Sequence, residues 1–282
     1  MPLRDESRYN INVKGEPSVV GEIRQKILAA FNELVFVEDG HKYYLNGNEL
    51  CSVSSVAAKF EEPFDTELRS KSYAAKHGET PQYWADQWRF TNLKATITGT
   101  QVHSYAESMA WIYMGHPENI TDDNKYKFIA DKGWLIPTRH KEESVLKYWK
   151  DLSPNYYVVL PETRVYTKDY AGTFDLLLWY EDIDDPTKSG LIIRDWKTNG
   201  EIYKDYSRKF GKMLKEPFDS LYDEPFGAYT IQQSCYQIPM EDIGLKILDR
   251  QIIWLKEDGS YEIISLPNVT EIIRKYFNDG AI

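Results

Sequence analysis

The segment that decides the fold reads YAGTFDLLLWYEDIDDPTKSGLIIRDWKTNG and covers residues 170–200. It contains two apolar runs typical of β-strands, separated by a polar loop at 181–190. Each run carries one aspartate, Asp175 in the first and Asp195 in the second, and Lys197 follows two residues later. Side chains two residues apart on a strand share a face, so Asp195 and Lys197 project together. If the two strands pair as a hairpin, both carboxylates converge on one spot.

Two carboxylates held together in a half-buried place repel each other, and one of them would take up a proton unless a cation lay between them. A hard divalent ion such as Mg²⁺ or Mn²⁺ meets this requirement, because its preferred ligands are carboxylate, carbonyl and water oxygens. Lys197 would then lie close enough to orient or deprotonate a water bound to the ion. The alternative from these residues alone is a local ion pair between Asp195 and Lys197 on an exposed strand face.

Two further motifs place polar side chains four residues apart on predicted helices, where such side chains are neighbours. GTQVHSYAE, residues 99–107, is predicted to begin a helix after Gly99 and to carry His103 and Glu107 on one face. QQSCYQ, residues 232–237, offers the amide of Gln232 and the phenol of Tyr236 to one surface. The alternatives are an ordinary surface histidine and the polar flank of an amphipathic helix.

The remaining sequence predicts helices, then a sheet, then a helix and returning strands. Residues 33–60 predict two strands joined by a turn at Asn46–Gly47, with Ser54 as the N-cap of a short helix. Helix-like segments follow within 66–152, strand-like runs come next, and a helical segment at 227–244 precedes two strands and a final helix. This order predicts an α/β or α+β fold in one domain, with a mixed, largely antiparallel central sheet flanked by helices.

The composition is that of an ordinary globular protein, with 42% hydrophobic and 28% charged residues among 282. The formal net charge of −10 argues against a protein that coats nucleic acid, but leaves room for an enzyme with local positive charge. One basic segment could supply this local charge, and it contains Lys204, Arg208, Lys209, Lys212 and Lys215. The alternative is that these residues form only a solvated helix face. The charged N-terminus and the lack of an apolar run near the ~20 residues of a membrane span predict a cytoplasmic protein without membrane association.

In order along residues 99–240, GTxxHxxxE, AGTFD, DWKT and QxxxY resemble the motifs of the PD-(D/E)XK nuclease superfamily. The similarity is greatest to the RecB-type and Cas4-like exonuclease branch, which includes phage-encoded recombination exonucleases. The resemblance implies a restriction-endonuclease-like core over residues 99–282, with residues 1–98 as an N-terminal hairpin and helical elaboration packed on it. It also implies three groups of site residues: metal ligands His103, Asp175, Asp195 and the Trp196 carbonyl oxygen; catalytic residues Lys197, Asp195, Asp175 and Glu107; and substrate contacts Gln232, Tyr236 and Thr198. The basic segment 204–215 is the candidate for a rim that binds DNA beside this site, with Lys209 and Lys212 as further substrate contacts.

One more candidate comes from the resemblance, since Glu162 in PETRVY occupies a position where relatives often carry a strand glutamate. Glu107 is the residue expected to support a second ion or the outer part of the site. The implied function is a metal-dependent DNA exonuclease that hydrolyses phosphodiester bonds with one or two Mg²⁺ or Mn²⁺ ions. Its expected setting is DNA recombination, DNA repair or phage DNA processing.

The resemblance also bears on cofactors and partners. With only Cys51 and Cys235, the four-cysteine iron–sulfur cluster of some relatives is not expected. The sequence lacks the GxxxxGK(S/T) phosphate loop of an ATP-driven motor, so no ATP is expected. The implied partners are DNA and a single-strand annealing protein, and an oligomer is compatible with the resemblance. Two alternatives share the same residues: a structure-specific endonuclease and a non-catalytic DNA-binding or scaffold protein.

Overall fold

The computed structural model describes residues 11–120, 130–131 and 133–280, and within them helices both precede and follow the main strands. Eight α-helices occur in this part of the chain, and the longest has 33 residues. In chain order they are α1 Ser18–Ala30, α2 Val53–Ala58, α3 Thr66–His77, α4 Pro81–Tyr113, α5 His140–Asp151, α6 Asp205–Lys209, α7 Pro225–Asp242 and α8 Thr270–Asn278.

Ten β-strands are found in the same described ranges, and eight of them form one sheet. In chain order they are β1 Leu34–Val37, β2 Lys42–Leu45, β3 Asn48–Ser52, β4 Ala130–Asp131, β5 Trp134–Leu135, β6 Tyr156–Tyr166, β7 Tyr170–Tyr180, β8 Gly190–Lys197, β9 Ile247–Leu255 and β10 Tyr261–Ser265. Strands β4 and β5 pair with each other as a separate two-stranded ribbon.

The main sheet is mixed and largely antiparallel, with helices on both of its faces. Its order is β1-β2-β3-β7-β8-β9-β10, and β6 pairs with β7 outside that path. The pairs β3–β7 and β8–β9 are parallel, and the other pairs are antiparallel. The predicted fold class, an α/β fold with a mixed, largely antiparallel sheet flanked by helices, is confirmed.

The two apolar runs that flank the polar loop pair as the central hairpin of this sheet, β7 and β8. Their residues are almost all buried, because helices cover both faces of the strands. On one face of β8, Trp196 packs edge-on against Tyr148 of α5, with the ring centroids 4.9 Å apart. On the other face, Lys197 forms an ion pair with Asp195 and donates to Gln232 of α7. The predicted alternation along this strand is therefore present.

Residues 33–60 form three strands rather than the predicted two. The turn at Asn46–Gly47 is confirmed, since both residues have positive φ, 51° and 81°, as a two-residue type I′ hairpin turn requires. The extra strand arises because residues 38–41 make another tight turn between β1 and β2. The predicted N-cap is wrong by two positions: the Oγ of Ser52, not Ser54, accepts a first-turn N–H at 3.1 Å.

The predicted helix beginning after Gly99 is wrong, because Gly99 lies inside α4, which is continuous from Pro81 to Tyr113. A glycine inside a helix is destabilising by only about 1 kcal/mol, so it does not by itself end the helix. A Cβ at this position would lie 3.6 Å from Thr198 Oγ1, so the segment after β8 passes close to the helix there. The boundary expected between residues 98 and 99 therefore falls within one helix, and β1–β3 join the main sheet.

The main hydrophobic core fills the space between the sheet and the helices that cover it, with side chains from α1, α4, α5, α7 and α8. Helix α4 contributes only its second half, because its buried residues all lie between Val102 and Trp111. Its first half projects beyond the core. Among the described residues, no helix combines the length and the apolar character that a membrane span requires.

Candidate functional site

The two aspartates meet where strands β7 and β8 separate. The β7–β8 ladder ends at the pair Leu176–Arg194, and β3 pairs with the same edge of β7 at Ala171. Between these ladders, the Asp175 N–H donates to Asp195 Oδ1 at 3.4 Å, and the Trp196 N–H donates to Asp175 Oδ2 at 2.7 Å. Each carboxylate thus serves as acceptor for a backbone group that the ladders leave over, which explains in part how two acids are tolerated in buried strands.

A histidine and two carboxylates converge beside this opening. His103 of α4, Glu162 of β6 and Asp175 of β7 each offer a ligand atom, and these atoms lie within 4.8 Å of one another. The Nδ1 of His103 is 3.3 Å from Asp175 Oδ1. The β6–β7 pairs on either side, Pro161–Leu176 and Thr163–Phe174, bring Glu162 next to Asp175 across the ladder. Like charges on neighbouring strands are destabilising unless a cation compensates them.

Glu162 reaches this position through an irregular backbone. The register of β6 shifts by one residue between Val158 and Leu160, and without the shift Pro161 would oppose Asp175 and Glu162 would face the other way. Glu162 also has a φ of 46°, in the left-handed region that non-glycine residues rarely adopt. Backbone strain of this kind is concentrated at functional sites.

Lys197 is held from three sides in the same opening. Its ammonium forms an ion pair with Asp195, donates to Gln232 Oε1 at 3.1 Å and lies 4.2 Å from the centroid of the Tyr229 ring. Gln232 Nε2 in turn donates to Tyr236 OH at 3.1 Å. Gln232 and Tyr236 therefore position Lys197, and their predicted contact with substrate stays a prediction.

The group with ligand spacing overlaps with the predicted ligand set but is not identical to it. Asp195 lies against the backbone of Asp175, but its carboxylate pairs with Lys197, and the group with ligand spacing contains Glu162 in its place. The Trp196 side chain packs away from the opening, and the ligand role of its carbonyl oxygen stays a prediction. Glu107, one helical turn beyond His103, lines the same cleft.

Burial and close charges shift the acid–base properties of these groups in different directions. Burial alone would lower the pKa of His103, but Asp175, helped by Glu162 and Asp195, outweighs it and raises the pKa to about 9. Burial, together with the Asp175 charge, raises the pKa of Asp195 to about 6. Burial opposes ionisation of Asp175, but His103 and Lys197 outweigh it and lower its pKa. Burial likewise opposes the charge of Lys197, yet Asp195 outweighs it, raises the pKa and keeps Lys197 cationic.

A cleft of about 840 Å³ opens over these groups. Its wall includes Phe36 and His41 of the β1–β2 hairpin, with the Arg164 guanidinium 5.2 Å from the centre of the Phe36 ring. Two permanent cations, Arg164 and Lys197, face six carboxylates in the lining: Glu38, Asp39, Glu107, Glu162, Asp175 and Asp195. A phosphate would meet net repulsion in this cleft unless further cations were bound with it.

The sequence patterns do not predict two features of the site. Tyr229, whose ring lies against the Lys197 ammonium, donates its OH to Asn199 Oδ1 at 2.5 Å. It precedes Gln232 by three residues on α7, so helical periodicity is a signal that could have found it. The wall made by the β1–β2 hairpin has no such signal, because it depends on the long-range pairing of β3 with β7.

Three predicted substrate contacts lie outside the cleft lining. The carbonyl of Thr198 accepts a hydrogen bond from a lysine of α5. Lys212 forms an ion pair with Glu62 at 2.9 Å, and Lys209 is exposed at the end of α6. Among the described residues that line the cleft, none belongs to the basic segment 204–215. A basic rim at this segment therefore requires DNA that extends beyond the cleft.

The donor set suits a divalent cation. One imidazole and two carboxylates supply nitrogen and oxygen ligands, and opposite ligands of an octahedral Mg²⁺ are about 4.2 Å apart. The 4.8 Å within which the His103, Glu162 and Asp175 atoms lie is slightly wider, so a small side-chain adjustment would close the group around an ion. The imidazole favours Mn²⁺ over Mg²⁺, because magnesium is bound chiefly through oxygen.

Compared with known proteins, the chain matches no family model, and no curated protein matches it. The functional interpretation accordingly depends on the side chains of the cleft and on the motifs that contain them.

Proposed function

We propose that the chain is a divalent-metal-dependent DNA nuclease that acts as an exonuclease. The observation that carries this function is the convergence of His103, Glu162 and Asp175 within 4.8 Å, next to the Asp195–Lys197 ion pair. This arrangement favours hydrolysis over simple DNA binding, because it would place a metal ion and a protonated lysine around the same phosphate.

Three side chains would hold the ion: His103 through nitrogen, and Glu162 and Asp175 through carboxylate oxygens. When bound, a divalent ion would polarise the scissile phosphate and lower the pKa of a water molecule, as in other metal-dependent hydrolases. His103 must be neutral to serve as a ligand, so the proton that Asp175 stabilises on it leaves as the ion enters.

Lys197 would act as a cation rather than as a base. Its raised pKa means that it carries hydrogen-bond donors and has no free lone pair with which to accept a proton. It would orient the attacking water or stabilise the charge that develops on the phosphate. The sequence leaves open whether Lys197 orients the water or deprotonates it, and orientation is the better supported role. Gln232 and Tyr229 hold the ammonium in place for it.

The choice of exonuclease over endonuclease comes from the resemblance of the four motifs, together with its setting in recombination, repair or phage DNA processing inside the cell. The charge of the cleft adds a physical reason. Six carboxylates in the lining oppose a polyanion, and a strand end brings fewer phosphates among them than the middle of a duplex does.

Incubation with linear and covalently closed circular DNA tests this function. With Mn²⁺, wild-type protein should degrade the linear DNA, leave the circles closed and do neither in EDTA. The Asp175→Asn variant should be inactive on both. Nicked circles would show endonuclease rather than exonuclease activity. Intact DNA under every ion condition would overturn the nuclease assignment.

A further inference from the structure

Helix α3 and the first half of α4 form an arm, residues 64–98, that stands outside the core. Ser70 is the only buried residue of α3, and α4 is buried only from Val102 onward. Aromatic contacts hold the two helices together: the ring centroids of Tyr73 and Trp84 are 5.1 Å apart. The arm is therefore a helical hairpin whose principal contacts are those between its own two helices.

The outer surface of the arm is unusually apolar. Seven of the sixteen large, exposed hydrophobic side chains among the described residues belong to it, so the exposure is concentrated rather than scattered. Phe90, Leu93 and Ile97, which we call the apolar row, follow one another on α4 at spacings of three and four residues. They are 65%, 56% and 50% exposed, and a contiguous patch of this kind marks a binding surface.

The apolar row runs directly into the cleft. Thr100, Ser104 and Glu107 continue it at the same spacing, and all three line the cleft beside His103. The 18 residues from Phe90 to Glu107 span about 25 Å of α-helix. One face of α4 therefore leads from an exposed apolar surface to the candidate metal centre.

Positive charges border the apolar row on both sides. Arg89 directly precedes Phe90 and Lys94 directly follows Leu93, and both are exposed. Because successive residues of an α-helix point about 100° apart, the two cations lie on opposite sides of the row. Phe90 offers an exposed ring on which an unpaired base can stack, and the two cations can bind the phosphates beside it. Duplex DNA keeps its base faces stacked inside and has no surface to match.

We propose that the apolar row binds single-stranded DNA and guides it into the cleft. This path along the row rests on the proposed function, because the bound strand is the one that the cleft would cut. It implies that the substrate class is DNA with an unpaired end. A helix of a second copy is the competing occupant. Three apolar positions cover about one heptad, whereas a coiled-coil seam needs at least three or four heptads, so a helix of a second copy is the less favoured occupant.

Fluorescence anisotropy in EDTA, where no cleavage is expected, tests the path with an oligothymidylate of about 20 nucleotides. The double variant Phe90→Ser, Leu93→Ser should bind this strand about tenfold or more weakly than wild type, while Phe90→Trp, which keeps a stacking surface, should bind normally. Binding of a blunt duplex of the same length should not change. Ile183→Ser, which removes a 74% exposed side chain from the β7–β8 loop, is the matched control.

Two results would overturn the path. One is equal binding of the single strand by wild type and the double variant. The other is a lower molecular mass of the double variant in light scattering, which would make the row an interface between copies. The cleavage assay separates this inference from the proposed function: arm-dependent binding without Mn²⁺-dependent cleavage would end only the nuclease assignment, and cleavage with unaltered binding would end only the path.

Discussion

The two faces of β8 each bury a cation, yet only one of them faces the cleft. Arg194 is 3% exposed and is surrounded by neutral groups: it donates to Gln251 Oε1 at 2.8 Å and to Tyr148 OH at 2.7 Å. Lys197, three residues later, pairs with the Asp195 carboxylate, which itself lies against Asp175. The Lys197 side chain is 12% exposed, so burial distinguishes the two cations only slightly.

The difference lies in the groups that each cation contacts. Arg194 satisfies hydrogen-bond acceptors inside the core, so its face is complete without any ligand. The Lys197 face contains more carboxylates than its cations balance, and it opens to the cleft. A buried charge therefore indicates a functional site when its surroundings are left short of positive charge, and a packing role when its partners are neutral and enclosed.

Loss of a ligand on the cleft face should have the largest effect. Asp175→Asn removes the carboxylate shared by His103 and the Trp196 N–H, and cleavage should fall on the order of 10³-fold. The stabilisation by Mn²⁺ in thermal unfolding should disappear with it. Asp219→Asn, at an exposed position, is the control. Retained Mn²⁺ stabilisation in Asp175→Asn would remove this residue from the ligand set.

Loss of the cation on the same face should reduce catalysis and leave metal binding intact. Lys197→Met should lower kcat by roughly 10²-fold, because the ammonium contributes to the transition state more than to the bound substrate. KM and the Mn²⁺ concentration for half-maximal stabilisation should change little. An increase in KM with unchanged kcat would instead make Lys197 a substrate-binding residue.

Loss of the cation on the core face should lower stability and leave catalysis intact. Arg194→Met leaves the hydroxyl of Tyr148 and the amide of Gln251 without their partner, which should lower the free energy of unfolding by about 2–4 kcal/mol. Activity per folded molecule should stay near that of wild type. Urea denaturation measures the first quantity and active-site-normalised kinetics the second, and a kcat defect equal to that of Lys197→Met would erase the contrast between the two faces.

The same contrast shows what sequence patterns can predict. Alternation along a strand is a local property, so the separation of Asp195 and Lys197 from Trp196 follows from spacing alone. Glu162 is different, because its approach to Asp175 depends on a register shift earlier in β6 that no residue pattern announces. The uninterrupted α4 is a third kind of case: Gly99 predicts a helix boundary locally, but the helix continues through it.

The smallest expected effect is a pH dependence confined to the cleft face. The pKa of His103 is about 9 in the folded protein and about 6.5 in an unfolded chain, so between these values the folded state binds more protons. In EDTA, the contribution of His103 to the free energy of unfolding should therefore be complete below about pH 6.5 and should be lost as the pH rises through about 9. The expected loss is about 1–2 kcal/mol, since the His103 side chain is 31% exposed and solvent screens it.

His103→Gln isolates this effect, because other histidines titrate equally in both proteins. Asp195, with a pKa of about 6, is ionised over most of the window and adds little slope. Urea denaturation across the range should give a flatter profile for the variant, whereas Arg194→Met should keep the wild-type slope at lower stability. With Mn²⁺ the sign reverses, since the ion displaces the His103 proton and binds more tightly as the pH rises. Parallel profiles for His103→Gln and wild type would show that the stability of the cleft face does not depend on this proton.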